Sequence, residues 1–194
     1  MKKTLIVPAV LLLLTTASAE SRLFISLGAG FMRPADSGFR QIYGNQVILP
    51  DVAAAIRLYK GLCLTAGAGK ASEEGKTPEL GLTTKASQGY ISAGLGYMLR
   101  ISYGLCVDVN AGIASLSYRE EALGTTIKGN GPGYKAEAGI LLLEEDGRAF
   151  IGLRLGYMSA RISDLGSPIV GPQSIKLGGP KISVCFGLQL FGND

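Results

Sequence analysis

The sequence predicts an all-β fold: an eight-stranded antiparallel up-and-down transmembrane β-barrel, preceded by a cleaved signal peptide. Three observations predict it. Beyond the first twenty residues, apolar side chains recur with a period of two and show no helical period. The connections between the alternating segments run long, short, long, short to the end. The charges inside those segments share one parity, which also carries most of the glycines.

Residues 1–19 read as the signal peptide. Lys2 and Lys3 form a positive start, LIVPAVLLLL is too short to span and stop, and Ala17-Ser18-Ala19 is a small-residue cleavage site. No cysteine stands at the cut, which argues against a lipid anchor. Residues 20–194 then make one barrel domain, long enough to bury a sizeable core.

The first segment, RLFISLGAGFM, sets Leu23, Ile25, Leu27, Ala29 and Phe31 against Phe24, Ser26, Gly28 and Gly30. VAAAIRLY follows with Val52, Ala54, Ile56 and Leu58, then LCLTAGAG with Leu62, Leu64, Ala66 and Ala68. YISAGLGYML carries Ile91, Ala93, Leu95, Tyr97 and Leu99 on one parity, and LCVDVNAGI carries Leu105, Val107, Val109, Ala111 and Ile113. YKAEAGILL offers Tyr134, Ala136, Ala138, Ile140 and Leu142, and AFIGLRLGYM offers Ile151, Leu153, Leu155 and Tyr157. KISVCFGLQL closes the series with Ile182, Val184, Phe186, Leu188 and Leu190. Each segment is near the ten residues or so that a tilted membrane strand needs.

The long connections are Arg33 to Asp51, Lys70 to Ser87, Arg119 to Gly133 and Ser163 to Gly179. The short ones are Lys60-Gly61, Arg100 to Tyr103 and Glu144 to Arg148. Short turns at one end and long loops at the other are the rhythm of a membrane barrel.

Asp108 stands between two valines, and parity explains it. Arg57, Asp108, Lys135, Glu137, Arg154 and Lys181 all oppose the bulky apolar parity of their segments. In a barrel with lipid outside, they line a lumen just wide enough for side chains. A lysine or arginine facing lipid at midplane would cost about 2–4 kcal/mol. The expectation is that Asp108 and Glu137 pair with some of the four cations. Phe31, Tyr97, Tyr134 and Tyr157 stand near strand ends on the lipid parity, where aromatic residues form interfacial girdles.

Several classes of function are disfavoured. Removing Lys2 and Lys3 leaves 17 basic against 15 acidic residues, no footprint for nucleic acid. Each long connection is formally neutral, which argues against a receptor for polyanions driven by bulk charge. Cys63, Cys106 and Cys185 lack the spacing of a metal site and read as small apolar filler; whether any pair is left open. The chain has no histidine, so no Ser–His or Asp–His catalytic arrangement exists. Gly67-Ala68-Gly69-Lys70 lacks the spacing of a phosphate loop. No enzyme activity, cofactor or metal is expected.

GYISAGLGYMLR and FIGLRLGYM, with the signal peptide and the eight alternating segments, resemble the small outer-membrane β-barrel family of bacteria: the OmpA transmembrane domain, OmpX and the opacity-type proteins. The resemblance implies a monomer in the bacterial outer membrane, with lipid and the barrel-insertion machinery as partners. It implies a structural, envelope-integrity or surface-interaction role through the outer loops. A narrow passive channel and a soluble lipocalin-like barrel for an apolar ligand are the alternatives. Family chains usually end on an outward aromatic residue read during assembly. Here Phe191 precedes Gly-Asn-Asp and takes the inward parity. No periplasmic domain is expected after the last strand.

Overall fold

The computed structural model describes residues 22–78, 81–144, 148–165 and 173–190. The expected signal peptide and Phe191 lie outside the described residues. The strands are β1 (Leu23–Met32), β2 (Val47–Tyr59), β3 (Leu62–Lys76), β4 (Thr83–Ser102), β5 (Leu105–Ala122), β6 (Thr125–Leu143), β7 (Ala149–Leu165) and β8 (Gln173–Leu190). One short helix, α1 (Ser37–Tyr43), lies between β1 and β2. No helix among the described residues is long and apolar enough to cross a membrane.

Each strand pairs antiparallel with its successor, and β8 returns to β1 to close the barrel. The closing ladder runs from Leu23 opposite Leu190 to Met32 opposite Lys181. Closure leaves no edge strand, so every strand finds ladder partners on both sides.

The alternation read from the sequence sorts residues as a barrel wall must. Leu27, Ile91, Ile113 and Leu155 are 66%, 71%, 76% and 61% exposed, and all lie on the outside. Phe24, Ser26 and Met32 of β1 are buried inside. A soluble lipocalin-like barrel would reverse this, with the leucines inside and the charges outside. That alternative is therefore overturned. A continuous outer belt of such residues far exceeds the few hundred Å² of apolar patch that a soluble monomer tolerates.

The long connections differ from expectation. Lys70 to Ser87 is mostly strand: β3 and β4 stay paired from Lys70 opposite Gly89 to Lys76 opposite Thr83. Arg119 to Gly133 is likewise a continuous hairpin, paired out to Ala122 opposite Thr125. Its turn is Leu123-Gly124, with φ of 50° and 75°. Two consecutive positive φ values define the tight turn that matches strand twist. Leu-Gly is not a usual sequence signal for it, so the segment reads as a loop. The outer end is thus built of strands that continue past the apolar belt.

The interior has three layers. At the short-turn end, Phe24, Cys63, Met98, Cys106, Leu141, Phe150 and Cys185 form an apolar floor. At the opposite end, Met32, Val47, Leu49, Leu116, Met158, Ile162 and Leu177 pack with Phe39 and Tyr43 of α1 into an apolar roof. Asp36 caps α1 by accepting a 2.9 Å hydrogen bond from the Phe39 backbone N–H. The charged residues lie between floor and roof.

Candidate functional site

The middle layer is built from side chains of seven strands. Arg154 on β7 donates from Nε to Asp108 on β5 at 3.1 Å, and from Nη1 to the Ser26 hydroxyl at 3.4 Å. Lys181 on β8 lies 3.0 Å from Glu137 of β6 and also binds Asp51 of β2. Lys135 reaches the other Glu137 oxygen at 2.9 Å. The Tyr90 hydroxyl donates to Asp51 at 3.3 Å, and the Lys135 ammonium stands 5.0 Å above the Tyr90 ring.

Glycines on the intervening strands make these bridges possible. Gly139 of β6 stands in register between Asp108 and Arg154. A Cβ there would come within 2.6 Å of both the Arg154 Cγ and an Asp108 oxygen. Gly156 of β7 stands in the same way between Glu137 and Lys181. A Cβ there would meet the Glu137 Cγ at 2.7 Å. The Asp108–Arg154 and Glu137–Lys181 pairs therefore each cross a strand that has withdrawn its side chain, whereas Lys135 and Glu137 pair along β6 itself. This is why the charged parity is also the glycine parity.

Of the residues expected in the lumen, Asp108, Lys135, Glu137, Arg154 and Lys181 come together in this layer. Arg57 faces inward near the floor but makes no ion pair among the described residues, and its Nε has no hydrogen-bond partner. Asp51, which the sequence places at the end of a loop, belongs to the network. Its signal was available: it shares parity with Ala53, Ala55 and Arg57. The proline before it hides the strand, because proline lacks a ladder donor.

Phe31, Tyr97, Tyr134 and Tyr157 are 54%, 46%, 56% and 43% exposed on the outer face. Tyr134 and Tyr157 are neighbours, with ring centroids 6.2 Å apart. Two further outward tyrosines stand at the short-turn end. Lys60 lies over the Tyr59 ring at 5.1 Å, and the Arg100 guanidinium over Tyr103 at 5.6 Å.

Under α1, the Tyr43 and Tyr118 hydroxyls donate to the two oxygens of Glu120, at 2.7 and 2.8 Å. This cluster lies above the apolar belt. Burial, and the Glu120 carboxylate beside them, push both phenols well above the ordinary tyrosine range.

The three cysteines are unpaired and buried in the floor. Among the described residues no group of His, Cys, Asp and Glu is placed to hold a metal ion. The middle layer carries opposed fixed charges, with Asp108, Glu137 and Asp51 paired to Arg154, Lys135 and Lys181, while Asp108 Oδ1 has no hydrogen-bond partner. That arrangement fills space and locks strands together.

No protein-family model matches the chain, and no curated protein matches it in sequence. Solved structures do share its fold. The outer membrane protein OprG of Pseudomonas aeruginosa aligns with a TM-score of 0.67 at 12% identity, covering 90% of this chain and 98% of that one. Neisserial surface protein A aligns at 0.63 and 11% identity, covering 87% and 97%. The attachment invasion locus protein Ail of Yersinia pestis, in complex with the heparin analogue sucrose octasulfate, aligns at 0.56 and 11% identity, covering 87% and 99%. At these identities the likeness is one of fold: the fold is that of the small eight-stranded outer-membrane barrels.

Proposed function

We propose that this barrel resides in the bacterial outer membrane and has a structural or surface-interaction role, with neither catalysis nor conduction. One observation carries the reading. The lumen is closed by an apolar floor and an apolar roof with an ion-paired middle between them, so only the outer surfaces are left to meet a partner. The apolar belt supports the location, because in water it would drive aggregation. Two of the similar structures are named as a surface protein and an attachment invasion protein, which agrees with a surface role.

Chemistry points the same way. Without histidine, a general base of the usual kind is missing. The lumen carboxylates are engaged by lysine and arginine, which holds them away from any substrate.

Envelope fractionation and planar-bilayer recording test the proposal together. The protein should partition with outer-membrane fractions, need detergent for extraction, and give no stable current steps. Recovery in the periplasm without detergent would refute the location. Stable unitary currents would favour the narrow-channel alternative instead.

A further inference from the structure

Counting charges along the chain makes each outer connection neutral, but the strand register separates the signs. Asp51 and Glu120 turn inward, whereas Lys70, Lys128, Arg161 and Lys176 stand exposed outside. Two other outward cations are offset by outward carboxylates: Lys85 pairs with Glu74 at 2.6 Å, and Arg119 with Glu121. Arg161 on β7 and Lys176 on β8 have no such offset among the described residues. They lie directly opposite each other in register, both exposed, and neither makes an ion pair among the described residues. Asp36 caps α1, and its second oxygen faces the Lys176 backbone N–H at 3.5 Å. Like charges placed opposite on a sheet repel, so the pair invites an anion.

The surroundings indicate which anion. Above the two cations stand Ser163 and Ser174, opposite each other and exposed. Below them come Ser159 and then Tyr157, which leans on Tyr134. Beneath the tyrosines begins the apolar belt, with Leu155 opposite Ile182. Arg161 stands about 13 Å along the strand from Tyr157, roughly 10 Å in height at the usual tilt. The two cations therefore lie at headgroup depth on the same two strands that face acyl chains.

We propose that this ladder on β7 and β8 binds the phosphorylated headgroup of an outer-leaflet lipid. Arg161 and Lys176 take the phosphate, with the guanidinium supplying a planar fork of donors and the ammonium a point charge. The serine hydroxyls meet headgroup oxygens, and Tyr134 and Tyr157 rest at the boundary with the chains. Continuity with the belt selects a lipid over a soluble anion. The proposal rests on the membrane location above and goes beyond it by naming a site and its ligand chemistry.

The test uses the full chain in phosphatidylcholine nanodiscs containing a diphosphorylated lipid of the lipid A type or its dephosphorylated form. Bound lipid is counted by native mass spectrometry after detergent release. Insertion is checked separately by flotation; if the wild type fails to insert, the membrane location fails and not merely this site. The wild type should retain the phosphorylated form preferentially. R161Q/K176Q should weaken that retention about thirtyfold, equivalent to about 1 kcal/mol per cation. K76Q, at the far end of β3, should leave it unchanged. Should R161Q/K176Q not fold, R161K/K176R must bind like the wild type while K176Q alone binds more weakly. Equal retention of both lipid forms, indifference to these variants, or displacement by equimolar inorganic phosphate would overturn the proposal.

Discussion

Lys181 shows how much one side chain decides. It is buried against Asp51 and Glu137, which stand on strands that are not sequence neighbours of β8. Replacing it with methionine leaves the Asp51 carboxylate without a cation in a desolvated lumen, while Glu137 keeps Lys135. Removing one partner of a buried pair typically costs about 3–5 kcal/mol. Lys181→Met should therefore lower the urea midpoint in detergent by a corresponding amount. Adding Asp51→Asn should recover most of it, because an uncharged amide of similar size carries no such penalty and Glu137 still holds Lys135. An unchanged midpoint for the single variant would mean that the layer is hydrated and energetically unimportant. Tyr43 and Tyr118 make a second argument at this scale. Their folded pKa values lie above the unfolded value of about 10, so the folded state holds the proton longer. Their stabilisation is complete below about pH 10 and is lost as pH climbs from there through the folded values. Alkaline titration should show late tyrosinate absorbance that coincides with loosening of α1. In Tyr43→Phe/Tyr118→Phe that late component should lose the amplitude of two tyrosines; an unchanged amplitude would locate it elsewhere.

At the scale of elements, each strand between two charged partners is specialised by glycine. Gly139→Ala puts a methyl 2.6 Å from atoms of both Asp108 and Arg154. Overpacking of this kind costs about 1–3 kcal/mol, and here it also opens the ion pair. Gly139→Ala should thus destabilise more in the wild type than in an Asp108→Asn/Arg154→Met background, as read by a double-mutant cycle. Equal losses in both backgrounds would detach the glycine from the pair. The same reasoning explains the hairpins at the outer end. Thr84 to Ser87 continues to pair with Ala122 to Arg119, although these residues are polar on their outer side. Inward Ala86, Leu116 and Tyr118 keep burying surface, so the ladder extends beyond lipid as long as an interior remains to be filled. The sequence reading ends these strands early because it follows the outward apolar run, and that run marks the membrane and not the strand.

For the whole molecule, the alternation of floor, charged layer and roof predicts electrical silence. Leu177 and Met32 are 0% and 1% exposed, so the roof is closed by strand residues as well as by α1. Deleting residues 37–43 should therefore leave bilayers free of unitary currents, and cutting back Leu177 and Met158 to alanine in that background should admit ions only once Phe24, Leu141 and Phe150 of the floor are also replaced with alanine. Currents from the helix deletion alone would show that α1 by itself is the gate. The sequence by itself determined the number of strands, their direction of turning and which face meets lipid. All three follow from the period of two and from the cost of exposing charge to hydrocarbon. It also placed Asp108, Lys135, Glu137, Arg154 and Lys181 inside, since parity is a local property. Only the closed barrel decided which of them touch, recruited Asp51 into the network and left Arg57 without an ion pair among the described residues. Contacts across the lumen depend on barrel shear and on the height each strand reaches, and these are set by the pairing of all eight strands together.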